Sequence, residues 1–248
     1  MPFLLLRPVR PTQPTRSCLV DFQVYNIFMS IRKVNFVGGE YYHIYNRGNS
    51  KQKIFHDNED YFHFMNLMYA CNSINNFRAL SLAKGGSPYD FELGKRIVSL
   101  GSYCLMPNHF HILFTQKEEK GISKFMQKLS TAYSMYYNKK YKRTGGLFEG
   151  KFKSEHSNND RYLKYLFSYI HLNPIKLIQR DWKEVGIKNR KDAFRYLQNY
   201  KYSSYLDYSN IKRIQNEILD IKDFPEYFSS KKSFQAEILE WLSYNKNH

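Results

Sequence analysis

The sequence predicts an α+β domain, a largely antiparallel central sheet with helices packed on it. Three observations predict this. The run EYYHIY at 40–45 has the aromatic and β-branched character of a strand. Two more strand-like runs, 96–105 and 109–114, flank Met106-Pro107-Asn108-His109, whose Pro and Asn suit a tight turn, so they read as a hairpin. Long stretches with apolar residues at helical spacing lie between and beyond these strands.

Taken in order, residues 1–28 interleave Pro2, Pro8, Pro11 and Pro14 with Arg7, Arg10 and Arg16 and show no period. They read as a disordered leader, with Met29 as an alternative start. After the first strand, 46–49 reads as a turn. Asp57 or Asn58 can cap a helix whose apolar stripe is Phe62, Met65, Leu67 and Met68. Residues 72–95 contain NSINN and KGGSP and read as a surface loop. The hairpin follows, then a helix over 122–137 carrying Phe125, Met126, Leu129, Ala132, Tyr133 and Tyr136. A basic, glycine-bearing segment occupies 139–153, and Asp160 can cap a helix that ends at Pro174. The rest reads as mostly helical, with apolar patterns at 211–221 and 233–242. The organisation expected is a leader at 1–28, a main domain at 29–206 and a helical C-terminal extension at 207–248.

The 248 residues include 38 Lys and Arg against 22 Asp and Glu, a formal charge of +16 that attracts polyanions such as nucleic acid. The 22 Tyr and 19 Phe offer faces for stacking unpaired bases, although A/T-rich codon usage produces the same bias. A 42% hydrophobic content supports a core and argues against a disordered basic tail. Cys18, Cys71 and Cys104 are far apart with no CxxC pair, which argues against a disulfide framework or thiolate zinc site and fits a reducing, cytoplasmic setting. No apolar run approaches the ~20 residues of a membrane span.

The chemistry concentrates in two places. On a strand, His109 and His111 project together while Phe110, Ile112 and Phe114 point to the opposite layer. Imidazoles about 7 Å apart can converge on one divalent cation. A bare HxH pattern more often describes two histidines on a solvated face. In the second place, Leu163, Leu166, Phe167 and Ile170 form a core stripe, and Tyr169 and Asn173 share another face. A tyrosine can attack a phosphodiester where a cation neutralises the phosphate, and an amide oxygen at i+4 can complete that cation's shell. Tyr169 also reads as an ordinary half-buried helix tyrosine, as Tyr162 and Tyr165 do. The residue four beyond Tyr165 is another tyrosine, a poor ligand, whereas the one four beyond Tyr169 is Asn173. Pro174 biases the Asn173 backbone away from the helical region.

HFH followed by YIHLNP resembles the Y1 transposases of the IS200 type, most closely their REP-associated tyrosine transposase branch. Supporting segments occur in the family's order: YHIYNRGNSKQKIF at 42–55, YCLMPNHFHILF at 103–114, RTGGLFEGKFKS at 143–154, YLKYLFSYIHLNPIK at 162–176 and KYSSY at 201–205. The resemblance implies an HUH-type nuclease with a ferredoxin-like or RRM-like sheet. It implies His109 and His111 as ligands of Mg²⁺ or Mn²⁺, and Tyr169 as the nucleophile. Asn173 sits where such enzymes place a polar third ligand, often Gln. The implied reaction cleaves and rejoins single-stranded DNA at hairpin, REP-like sequences through a 5′-phosphotyrosine. Arg47, Lys139, Lys140, Lys142, Arg143, Lys151 and Lys153 are then candidate DNA contacts, with Gly145, Gly146 and Gly150 letting backbone amides approach a phosphate. The same charge run also reads as a solvated loop. Monomer and homodimer both remain open, as do three rival functions: a catalytically silent DNA-binding protein of the same fold, an HUH replication initiator or relaxase, and a histidine-bound metal hydrolase without a tyrosyl intermediate.

Overall fold

A computed structural model describes residues 35–75, 87–90, 93–228 and 230–243. The expected leader at 1–28, the alternative start at Met29 and residues 76–86 and 91–92 of the expected surface loop lie outside the described residues.

Strand β1 (Tyr41–Arg47) alternates between two faces, as EYYHIY predicts. It is followed by helix α1 (Asn58–Ala70), whose first turn is closed by Asp57: its carboxylate accepts a hydrogen bond from the Asp60 amide at 3.0 Å. Strands β2 (Val98–Met106) and β3 (His109–Gln116) form the expected hairpin, with Pro107 and Asn108 as the turn. Helix α2 (Gly121–Lys140), strand β4 (Lys153–Ser157) and helix α3 (Asp160–Leu172) come next. The sheet order is β2-β3-β1-β4, antiparallel throughout, so β3 and β1 are the inner strands.

Each face of the sheet is covered. Tyr42, Ile44, Phe110, Ile112 and Phe114 point one way and pack with Phe64, Met68, Phe125, Leu129 and Tyr133 of α1 and α2. Cys104, Met106 and Leu113 point the other way and pack under Leu163, Leu166, Phe167 and Ile170, the apolar stripe of α3. The period of 2 in the strands and of 3.6 in the helices builds both interfaces.

Two helix boundaries differ from the sequence expectation. Asn159, not Asp160, caps α3: its side-chain oxygen accepts from the Tyr162 amide at 2.8 Å, and Asp160 is the first helical residue. At the other end Asn173 keeps helical angles (φ −53°, ψ −37°), and the chain continues as a tight 3-10 turn, Asn173–Leu177. Pro174 fits there because it starts a new turn, where its missing N–H costs nothing.

Beyond this turn lie the short helix α4 (Trp182–Val185), helix α5 (Arg190–Asn199), the short helix α6 (Tyr205–Tyr208) and helix α7 (Lys231–Ser243). The apolar pattern at 211–221 forms two 3-10 turns, Ile214–Ile218 and Ile221–Asp223, rather than a helix. Its end is tied to the free edge of β2 at Asp220, and the preceding stretch 202–204 covers the same edge. The Leu105 amide donates to Tyr202 O at 2.9 Å, the Ser204 amide to Tyr103 O at 3.0 Å, and the Asp220 amide to Leu100 O at 3.0 Å. An unpaired edge would be a template for unwanted pairing. Phe224 closes the same edge against Gly101, where any Cβ would sit 2.7 Å from its ring.

Lys140, an expected DNA contact, has a structural role instead. Its ammonium lies 2.8 Å from Asp60, 2.9 Å from Asp57 and 2.9 Å from Glu59. Asp60 is 0% exposed and also accepts from the His56 amide and from Tyr136 and Tyr141. Burial alone would raise the Asp60 carboxyl, but Lys140 and these donors outweigh it and hold it below the usual range. Replacing Lys140 by Met should lower unfolding stability by about 2 kcal/mol, measured by urea denaturation, because it strips a charged partner from a buried carboxylate.

Candidate active site

The site forms where β1, β3 and β4 face the start of the turn after α3. In the β1–β3 register Tyr45 lies opposite His111 and Arg47 opposite His109, and in the β1–β4 register Glu155 lies opposite His43. All of these side chains therefore emerge on the α3 side of the sheet.

His109 and His111 meet as the HxH spacing predicts, with ring centroids 5.0 Å apart. Each ring has one nitrogen engaged. His109 Nδ1 lies 2.7 Å from Asn108 Oδ1, and His111 Nδ1 lies 2.9 Å from His43 Nε2. The Nε2 atoms of both rings are left for another ligand. Burial, with Lys176, Arg47 and Lys183 adding, pulls His109 down to about 4. Burial and then its histidine neighbours hold His111 well below the ordinary imidazole value. Both rings are thus neutral at pH 7, the form in which imidazole donates a lone pair.

Tyr169 stands over this pair. Its ring is 5.6 Å from that of His111 and 5.9 Å from that of His43, edge-on to both. Burial first, then Tyr165 and Glu155, raise the Tyr169 phenol above its ordinary value, and Asn173 acts in the opposite sense. The Asn173 amide nitrogen donates to Tyr169 O at 2.8 Å, while its Oδ1 is buried without a partner. Two neutral imidazoles suit a divalent cation, and an orphaned buried amide oxygen four residues beyond Tyr169 is an oxygen donor of the right chemistry. Among the described residues no group of three or more His, Cys, Asp or Glu gathers as metal ligands.

Four groups that the motif reading passed over complete the site. His43 supports His111, and Glu155 lies 3.7 Å from His43 Nδ1, an ion-pair rather than hydrogen-bond distance. Glu155 also accepts from Tyr45 at 2.9 Å and Tyr162 at 3.1 Å, and His43 beside it is the main reason its carboxyl titrates low. The alternation of EYYHIY was signal enough for His43, since it shares a face with Tyr41 and Tyr45. Lys176 lies on the turn and Lys183 on α4. The Lys183 ammonium is 3.9 Å from the centre of the Tyr169 ring. Burial, then repulsion from Lys176, pulls Lys183 down to about 7, and burial also lowers Lys176.

The other expected DNA contacts scatter. Arg47 is paired with Glu149 through both Nε and Nη2. Lys139, Lys142 and Lys151 are exposed, and Arg143 lies over the Tyr137 ring at 5.4 Å. Lys139, Lys140, Lys142 and Arg143 follow or end α2, in the layer on the far face of the sheet from Tyr169. Lys153 lies opposite Tyr45 and so belongs to the site face.

Residues 93–173, about a third of the chain and including the histidine pair and Tyr169, match the family model described as "Transposase IS200 like". The match supports the IS200-like transposase family. A solved structure titled "Structure of the REP associates tyrosine transposase bound to a REP hairpin" is similar at 12% identity with a TM-score of 0.43, covering 82% of this chain and 100% of that one. A search of the curated proteins finds no match. Among the described residues no helix is long and apolar enough to cross a membrane.

The buried imidazoles make stability depend on pH. His109 titrates near 4 when folded, against 6.5 for a free imidazole. Between those values the unfolded chain binds the extra proton, so stability falls as pH drops through this window. In chelator-treated protein, His109 alone should cost about 2 kcal/mol on moving from pH 7.5 to pH 5. Urea denaturation at the two pH values measures the loss, and imidazole NMR should show His109 still neutral at pH 5.

Proposed function

We propose that the protein is a DNA strand transferase of the IS200-like transposase type, cleaving and rejoining single-stranded DNA at hairpin sequences through Tyr169. The observation that carries this reading is the Tyr169 ring 5.6 Å from that of His111, beside His109 and over the same face of the sheet. The family match over 93–173 supports it independently.

In this reading the Tyr169 oxygen attacks the scissile phosphorus. The bond from phosphorus to the 3′ oxygen breaks, the phenol proton ends on that oxygen, and the DNA is left joined through a 5′ phosphate to Tyr169. Attack by a 3′ hydroxyl on the phosphotyrosine reverses each change and reseals a strand, with no external energy required. His109 Nε2, His111 Nε2 and Asn173 Oδ1 are the atoms that would hold a divalent cation, Mg²⁺ or Mn²⁺. When bound, that ion supplies positive charge to the phosphate oxygens. His43 and Glu155 orient the His111 ring so that its Nε2 faces outward. A phenol whose pKa is raised by burial gains from every nearby cation as it becomes an aryl oxide.

Incubation with single-stranded hairpin fragments from around the protein's own gene, in the presence of Mg²⁺, should give a covalent protein–DNA band on a denaturing gel. Tyr169→Phe should abolish the band, and EDTA should suppress it. Cleaved DNA with no covalent band would instead indicate a histidine-bound metal hydrolase, and a band that survives Tyr169→Phe would remove Tyr169 from the reaction.

A further inference from the structure

Lys183 belongs to none of the sequence motifs, and Lys176 only closes the 162–176 segment; Lys183 packs on Tyr169, while Lys176 acts electrostatically on Lys183 and on both histidines. Lys176 sits on the Asn173–Leu177 turn, immediately after α3, and Lys183 on the four-residue helix α4. Buried Trp182 anchors that helix, and the Lys183 ammonium reaches over the Tyr169 ring at 3.9 Å. Both lysines are half-buried, and among the described residues neither makes an ion pair. The acid that acts on both is Glu184, which is exposed and forms no ion pair with either.

This is an unbalanced arrangement. Two ammonium groups repel each other in a half-buried place, and both also act on His109. Such charges are costly to keep without a counter-charge. A contact with the face of Tyr169 recovers only part of that cost, about 0.5–2 kcal/mol. It also leaves Lys176 unserved. A divalent cation at the histidines would add positive charge and deepen the imbalance. What the place lacks is an anion.

We propose that Lys183 and Lys176 form a phosphate grip, binding the non-bridging oxygens of the phosphodiester that Tyr169 attacks. The inference rests on the strand-transfer reading for the word "attacks", but the grip itself is a binding property. With a phosphate seated, both ammonium groups gain a partner, and the Lys183 charge also stabilises the aryl oxide as the phenol gives up its proton. Lys139, Lys142 and Lys151 differ in being exposed, so they contribute to the general field rather than to a defined phosphate position.

The test uses the full chain in EDTA with a short single-stranded oligothymidylate, so that neither metal nor cleavage enters. Affinity is measured across a series of salt concentrations for wild type, Lys183→Met, Lys176→Met and Lys183→Arg. Each Met variant should bind about tenfold more weakly and lower the slope of log affinity against log salt by about 0.7, the signature of one lost phosphate contact on single strands. Lys183→Arg should keep the wild-type slope. A purely structural role for Lys183 would alter thermal stability without changing that slope. Wild-type slopes in both Met variants overturn the proposal. Should Lys183→Met fail to fold, Lys183→Gln and Lys176→Met carry the same measurement. The two readings fail separately. A covalent DNA band from wild type with unchanged slopes sinks the grip alone, whereas reduced slopes with no band from any hairpin sink strand transfer and leave an anion site.

Discussion

In the central pair of strands Tyr45 lies opposite His111, and this register determines which side of the sheet carries chemistry. Strand side chains alternate with a period of two, so a slip of one residue would turn His43 into the α1–α2 core and bring Ile44 out in its place. The register is held by the apolar side. Ile44 and Ile112, directly opposite each other, are both 0% exposed and are packed under α1 and α2. The polar cluster on one face is therefore fixed by hydrophobic contacts on the other.

That coupling explains how so many ionisable groups tolerate burial. The imidazoles of His109 and His111 are kept neutral, and each has one nitrogen occupied by a neighbour in the fold. Glu155 keeps its charge because it sits among donors, with His43, Tyr45 and Tyr162 around it. Lys176 and Lys183 are the exceptions. A half-buried cation without an ion-pair partner suits a ligand rather than the fold, since stability alone would favour an apolar side chain of the same volume.

The elements that were legible in the sequence are those written in local periodicity. The hairpin around Pro107-Asn108, the stripe of α3 and the facing of His109 and His111 follow from spacing alone. What was not legible depends on contacts between distant segments. Lys140 reads like its neighbours Lys139 and Lys142 until α1 brings three carboxylates to it. The 211–221 pattern has helical spacing, but it forms 3-10 turns whose end is fixed by the Asp220 amide bound to Leu100 O on the edge of β2. Lys183 lies fourteen positions beyond Tyr169 on a helix of four residues, too short to leave a periodic signal. His43 was half legible: its face could be read, but its meeting with His111 needed the strand pairing.

The position of Tyr169 is set by the residue two places further on. His171 is fully buried, and its Nε2 lies 2.7 Å from the Ser204 hydroxyl. Ser204 is in turn bound to both the amide and the carbonyl of Tyr103 on β2. His171 also packs against Tyr208 and Phe234. The C-terminal end of α3 is thus clamped to the sheet edge by a segment that follows it in the chain. A helix held this way carries Tyr169 on its other face at a fixed height above His111. The phenol and the histidines come from one chain, so bringing them together needs no residue from a second copy and no large movement of α3. In the proposed reaction, preorganisation of this kind would spare the entropy of assembling a nucleophile and its binding groups.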